Sequence, residues 1–299
     1  MTKLKRDARA WVHRVKMGKA RLWAVVEGKE FDTPYYERLL SESIEGEVRI
    51  MRAEDLVVDG VSAGGKSHVK KVFDLFESQG ALTQRNNNTR IDVMFFMDRD
   101  DDEFLSKLVN NDHVHYTTHA DVEAEIVAYA DHAEAVSIAF SLPRTLARRI
   151  PLADSMSELA QLWEEWITLR IASARAEWSD TRFAQKSGIN VPLDGPVDQD
   201  RVDAICARVV TACPNWEDIR GEAARHYASK QLSGEAQHLV KGKWMPWLLI
   251  RKVRAGVSDP RSLPTVSESY LLGILLANID FKADWAEKTR IAVRVALAA

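Results

Sequence analysis

The sequence has few cysteines and no long apolar run, and each absence excludes a class of protein. Cys206 and Cys213 are the only cysteines in 299 residues, which excludes a scaffold held together by several disulfides. The basic residues Lys3 and Lys5 are not followed by the apolar segment of a signal peptide. No stretch reaches the roughly 20 apolar residues that a membrane helix needs. We therefore expect a cytoplasmic protein with no membrane partner.

The chain also lacks an excess of either charge and any repeated or low-complexity segment. The formal net charge is −3, so a uniformly basic nucleic-acid coat is excluded and any basic surface has to be local. Hydrophobic residues make up 46% of the sequence, which is enough to form a large core.

Hydrophobic patterning divides the chain into three parts. Short apolar runs alternate with helical patterns up to about residue 131, which predicts an α/β fold with a mostly parallel sheet flanked by helices. After residue 140 the pattern is helical, apart from a Pro/Gly loop at residues 188–197, and Ser155 and Glu158 have the spacing of a helix-capping box. The predicted parts are a basic helix (1–21), a catalytic α/β domain (22–140) and an all-α domain (141–299). Strands are predicted at 22–27, within 47–59, at 91–97 and at 113–117, and helices at 33–43, 67–79 and from about 120.

Two of the predicted strands stop abruptly at carboxylates. Glu27 follows the apolar run at 22–26, and Asp98 follows the run at 93–97, with Asp100 two residues later. Ligands of open α/β sheets bind beyond the carboxyl ends of such strands. On an extended backbone, residues two apart point the same way, which would let Asp98 and Asp100 share one ion. Oxygen ligands of this kind suit Mg²⁺, with Mn²⁺ as the alternative.

The acidic run from Asp98 to Glu103 has two interpretations. It is either a solvated turn after a strand or a site whose mutual repulsion is relieved by a bound cation. The second strand, ending in Glu27, favours the cation site. Carboxylates holding a metal ion, with another carboxylate to move a proton, are a common arrangement for phosphodiester hydrolysis.

The ordered set of motifs resembles a known family. Val26-Glu27-Gly28, with Asp32 five residues after the glutamate, precedes Gly64-Gly65-Lys66, Asp98-Arg99-Asp100, Asp121-Val122-Glu123 and Gly242-Lys243. This order is similar to that of the TOPRIM-like, OLD-type nucleases of bacterial defence. The size and layout resemble the effector subunits of PARIS anti-phage systems. The resemblance covers most of residues 20–130, and His119 stands where the family often has Gly or Asp.

The resemblance implies a TOPRIM-like catalytic domain and a metal-dependent endonuclease that acts as a toxin in antiviral defence. Glu27, Asp98 and Asp100 would be catalytic and bind the metal, and Glu123 would be an auxiliary catalytic acid. The substrate would be RNA, including host tRNA, or DNA. An ABC-type ATPase sensor would keep the nuclease in check, and the active form would be a homodimer.

A competing motif predicts a nucleotide-binding enzyme. Residues 60–67 match the P-loop pattern G-x-x-x-x-G-K-S and stand between an apolar stretch and a predicted helix. In that interpretation, however, the strand that ends in Glu27 has no role, and Asp100 adds a carboxylate that a Walker B strand does not need. In the nuclease interpretation, Gly64, Gly65 and Lys66 instead face a phosphate of the substrate. A third possibility is a non-catalytic regulatory or binding subunit whose acidic cluster is structural.

A basic, tryptophan-rich stretch occupies residues 238–254. Its cations would neutralise phosphates, and Lys241 and Lys243 are predicted to bind substrate close to the carboxylates. Trp244 and Trp247 also have the spacing of a core-facing helix stripe. Three histidines lie at or just after the predicted strand at 113–117. His113 and His115 have the pattern of a surface strand, and His119 is nearest to the strand end.

Overall fold

The structure is a computed structural model, and the Pro/Gly loop predicted at residues 188–197 and the basic residues Lys3 and Lys5 lie outside the residues that it describes. The described residues are 6–28, 30–42, 44, 46–86, 89–178 and 199–298.

Strands and helices alternate in the first 116 residues, as the patterning predicts. In chain order they are β1 (Arg6–Asp7), α1 (Ala8–Met17), β2 (Leu22–Val26), α2 (Asp32–Ser41), β3 (Val48–Arg52), β4 (Leu56–Val57), α3 (Lys66–Ser78), β5 (Thr83–Asn86), β6 (Thr89–Met97) and β7 (Val114–Tyr116).

Helices follow. They are α4 (Val122–Tyr129), α5 (His132–Phe140), α6 (Arg144–Ala147), α7 (Ser155–Leu162), α8 (Glu164–Arg175), α9 (Gln199–Ala212), α10 (Trp216–Leu232), α11 (Met245–Ala255), α12 (Glu268–Ala277) and α13 (Glu287–Ala298). Short 3₁₀ helices lie at Ala53–Asp55, Ala236–Leu239, Gly242–Trp244, Pro260–Ser262 and Asp284–Ala286. In the described part of the chain, no helix is both long enough and apolar enough to cross a membrane.

A five-stranded sheet forms the centre of the first part, with β2 between β3 and β6. These three strands are parallel, and Val25 stands opposite Met51 on one side and Phe95 on the other. The far edge of β6 pairs with two strands in turn, antiparallel with β5 near its start and parallel with β7 near its end. The predicted α/β fold with a mostly parallel sheet is therefore confirmed.

Helices cover both faces of this sheet because β6 is apolar on both. Phe95 packs edge-on against Phe73 of α3, with ring centroids 5.3 Å apart. The next residue, Phe96, points to the opposite face and meets Tyr36 of α2 at 4.5 Å. Every residue of β2 is buried as well, which explains its unbroken apolar sequence.

By packing, the chain divides into two compact units that do not follow the boundaries predicted from sequence. The first consists of Met1–Asp98, Val109–Thr117 and Asp280–Ala299, and the second of Arg99–Leu108 and Thr118–Ile279. The C-terminal segment belongs to the first unit because Arg90 of β6 donates to the Ala296 carbonyl over 2.8 Å. The basic helix predicted over residues 1–21 is the shorter α1 and belongs to the same unit.

Candidate functional site

Glu27 and Asp98, in the first unit, lie side by side at the carboxyl ends of β2 and β6. The backbone N–H of Asp98 donates to Oε1 of Glu27 over 3.0 Å. Both residues are buried, with 4% and 1% of their surfaces exposed. The parallel pairing of two adjacent strands thus brings the Glu27 carboxylate to the backbone of Asp98, 71 positions away in sequence.

A third carboxylate, Glu54, was not predicted. It lies in the 3₁₀ helix that follows β3, and Nη1 of Arg52 binds its Oε1 at 2.9 Å. Gly28 has a φ of +97°, and a Cβ at that position would lie 2.9 Å from Cγ of Glu54. Glu54 therefore packs on the backbone immediately after Glu27. The residue directly after β3 is Ala53, so no carboxylate marks this strand end in the sequence.

The glycine-rich loop also reaches the end of β2. The backbone N–H of Gly65 donates to the Glu27 carbonyl over 3.4 Å, and a Cβ on Gly64 would lie 3.8 Å from the same oxygen. Helix α3 begins at the next residue, Lys66, which is half-buried. The amino end of a thirteen-residue helix therefore stands beside the backbone of Glu27.

The same loop does not have the surroundings of a P-loop. The strand before it, β4, pairs with β1 in a separate two-stranded sheet, whereas a P-loop follows a strand of the main sheet. Two 2.9 Å hydrogen bonds between Val58 and Val61 close a tight turn at Asp59 and Gly60. Gly60, the first glycine of the motif, is therefore part of this turn.

Asp100, in the second unit, does not have a strand conformation. Its φ is +47°, so the prediction that the backbone is extended at this residue is wrong. The Asp100 N–H donates to the Ala120 carbonyl over 2.8 Å, which holds the turn in place. The Asp100 carboxylate forms an ion pair with Nζ of Lys241. Burial opposes the charge on Lys241, but the charges of Asp100, Asp101 and Asp121 together outweigh it and raise the pKa of the lysine.

Asp101 and Glu103 of the acidic run are also paired with cations of the same unit. Arg170 binds Asp101 at 2.9 Å and also donates to the Leu239 carbonyl over 3.0 Å. Lys230 binds Glu103 at 2.9 Å. Burial opposes ionisation of Glu103, but Lys230 and Arg99 together lower its pKa. The run is therefore neither a bare solvated turn nor a set of uncompensated charges.

The segment from Lys241 to Lys243 is docked on the amino end of α4. The Gly242 N–H donates over 2.9 Å to Oδ1 of Asp121, the same oxygen that caps α4 by accepting from Ala124 N–H. Glu123 lies in the first turn of that helix. Lys243 is exposed.

His119 belongs to a buried group of titratable side chains in the second unit. Oε1 of Glu125 accepts its backbone N–H over 2.8 Å and lies 3.5 Å from its Nδ1. The His119 ring also meets His238 at 4.6 Å and Tyr129 at 5.4 Å, both edge-on. Burial opposes ionisation of Glu125, but His119 lowers the pKa of that carboxyl. Burial, and then the charge of His119, lower the pKa of His238 to about 4.

We expect the free energy of unfolding to fall as the pH drops below about 6.5, because of His238. His238 is protonated in the unfolded chain below that value but stays neutral in the fold down to about pH 4. The unfolded state therefore binds more protons, and the free energy of unfolding falls by less than about 1.4 kcal/mol per pH unit, because His238 is partly exposed. Urea unfolding of the wild type and of His238→Gln between pH 4 and 7 tests this. A variant with the same slope as the wild type would contradict it.

The two strand histidines considered in the sequence analysis, His113 and His115, make structural contacts in the first unit. His113 donates from Nδ1 to the Val93 carbonyl over 2.8 Å, and Nε2 of His115 lies 3.1 Å from the hydroxyl of Thr289. Across the described residues, no three His, Cys, Asp or Glu side chains are grouped closely enough to hold a metal ion.

No protein-family profile matches this chain, and a search of curated proteins finds no significant match.

Proposed function

We propose that this chain is a Mg²⁺-dependent hydrolase of phosphodiesters that acts at the carboxyl ends of β2 and β6. The proposal rests on one observation, the hydrogen bond from the Asp98 backbone to the Glu27 carboxylate. It holds the Glu27 carboxylate against the backbone of Asp98, where parallel α/β sheets bind their ligands.

The donor set suits the proposed ion. Glu27 and Asp98 offer only carboxylate oxygens, and Mg²⁺ is typically held by one or two carboxylates together with waters and substrate phosphate. These two residues would hold the ion, with Mn²⁺ as a substitute. Asp100 and Glu123 remain the further acids implied by the sequence resemblance. When bound, the ion would supply charge stabilisation and an activated water.

The chain's own groups would orient the substrate. The Asp98 N–H holds Oε1 of Glu27, which fixes the orientation of that carboxylate at the strand end. The amino end of α3, with Gly64, Gly65 and Lys66, favours an anion such as a phosphate. The amino end of α3 therefore favours a phosphate-containing substrate over other classes of substrate.

The biological setting of the proposal comes from the resemblance in sequence. The chain would be the nuclease effector of an anti-phage system, cutting RNA such as host tRNA in preference to DNA. An ABC-type ATPase would restrain it, and two copies would form the active dimer. An ABC-type ATPase gene beside the gene for this chain would support this setting.

The test is cleavage of labelled tRNA, single-stranded RNA and duplex DNA by the purified chain alone. We expect cleavage of at least one substrate with Mg²⁺ or Mn²⁺, none with excess chelator, and no release of phosphate from ATP. Hydrolysis of ATP that depends on Lys66 would contradict the proposal and favour the P-loop interpretation. The absence of both activities would favour a regulatory subunit.

A further inference from the structure

A groove of about 730 Å³ runs between α7 and α11 in the second unit. Its apolar lining includes Leu159 and Leu248, which are 2% and 3% exposed, and the half-buried Leu162. The volume lies within the range of roughly 300–1,000 Å³ in which proteins bind small ligands, so the groove is large enough to be filled by bound groups. The groove therefore has room for several apolar side chains.

The rim of this groove is positively charged. Arg251 and Arg254, on α11, are exposed, and within the described residues neither forms an ion pair with a carboxylate. Arg251 lies over the ring of Trp247 at 5.1 Å, which holds its guanidinium at the surface. The third cation, Lys252, is already engaged by Glu158 and by the Ser155 hydroxyl.

Arg251 and Arg254 give this groove a locally positive rim on a chain whose formal net charge is −3. Nucleic acid is a poor occupant, because single-stranded bases stack on exposed aromatic rings and this groove offers leucines. An amphipathic helix matches better, since its apolar face fills a groove while acidic side chains on its flanks meet the rim.

We propose that the α7–α11 groove binds an acidic amphipathic helix of a partner protein. Helix α11 has eleven residues, which at 1.5 Å per residue gives a groove wall about 16 Å long. A bound helix would cover about three turns, with apolar anchors at positions i, i+4 and i+7 and glutamates beside them. This binding is independent of the phosphodiester chemistry proposed above.

The probe for this site is a fluorescent synthetic helix of about 15 residues with leucine anchors and flanking glutamates. We expect micromolar binding to the full chain, measured by fluorescence anisotropy. The same peptide with lysines in place of the glutamates should not bind. The double variant Arg251→Glu/Arg254→Glu should weaken binding by about tenfold or more, because two attractions become two repulsions.

The matched control is Arg148→Glu/Arg149→Glu, which changes the net charge equally at two exposed arginines outside the groove lining. It should bind the probe as the wild type does. Leu162→Ala tests the apolar lining and should weaken binding several-fold. The inference is overturned if the acidic helix does not bind or if both double variants bind it equally. It is also overturned if a single-stranded RNA probe depends more strongly on Arg251 and Arg254 than the peptide does.

Discussion

Glu27→Gln is expected to reduce phosphodiester cleavage by about 10²- to 10⁴-fold while the protein remains folded. Glutamine keeps an oxygen that accepts the Asp98 N–H, so the contact between the two strand ends is preserved. It loses the negative charge that attracts a divalent cation. Initial rates of RNA cleavage at saturating Mg²⁺, with the melting temperature measured in parallel, give the two readouts.

Glu47→Gln is the matched control for this variant. Glu47 is exposed and pairs with Arg49, so the same chemical change should leave cleavage unaltered. Binding of Mn²⁺, followed by electron paramagnetic resonance, should weaken in Glu27→Gln and not in Glu47→Gln. Cleavage by the Glu27→Gln variant at the wild-type rate would contradict the proposed site.

Gly242→Ala is expected to destabilise the protein by about 3 kcal/mol or more. A Cβ at this position would lie 2.0 Å from the Ala124 nitrogen and 2.3 Å from the carbonyl carbon of Glu123. These are backbone atoms at the amino end of α4, so they cannot move aside as a flexible side chain does. Relief of the clash requires loss of the hydrogen bond from Gly242 N–H to Asp121. Urea unfolding monitored by circular dichroism measures the change.

Gly273→Ala provides the comparison. Gly273 lies inside α12, and no atom would come within 4 Å of its Cβ. Because alanine favours helices over glycine by about 1 kcal/mol, this variant should be slightly more stable than the wild type. Similar losses of stability in both variants would show that the close approach at Gly242 is not what limits substitution there.

Sequence patterning predicted the elements whose formation depends on burial alone. The apolar run at residues 22–26 became β2, and the run ending at Met97 became β6, because strands covered on both faces have few polar positions. The carboxylates after these strands could therefore be placed at one edge of the sheet in advance.

Contacts that join distant parts of the sequence were predicted only in outline. Lys241 was expected near the carboxylates because of its charge, but its specific ion pair with Asp100, 141 positions away, depends on a left-handed residue in a turn. Glu54 was missed because it lies in a short 3₁₀ helix after a strand that is only partly buried.

Local motifs also failed where packing overrode them. Ser155 and Glu158 have the capping-box spacing, yet Ser155 is the first residue of α7, and Asp154, at the cap position, makes no side-chain hydrogen bond to the helix. The Ser155 hydroxyl instead accepts from Nζ of Lys252 over 3.0 Å. The helical pattern after residue 140 is also interrupted at Trp163, between α7 and α8, where this residue is buried against Trp244 with ring centroids 5.3 Å apart.

The division of the first unit into separate segments has a consequence for synthesis on the ribosome. Its penultimate segment ends at Thr117 and its last begins at Asp280, so about 160 residues are translated between them. At typical elongation rates this takes roughly 8–30 s. During that interval β6 lacks the Ala296 carbonyl that accepts from Arg90. The nascent chain therefore carries Glu27 and Asp98 well before the unit that contains them is complete.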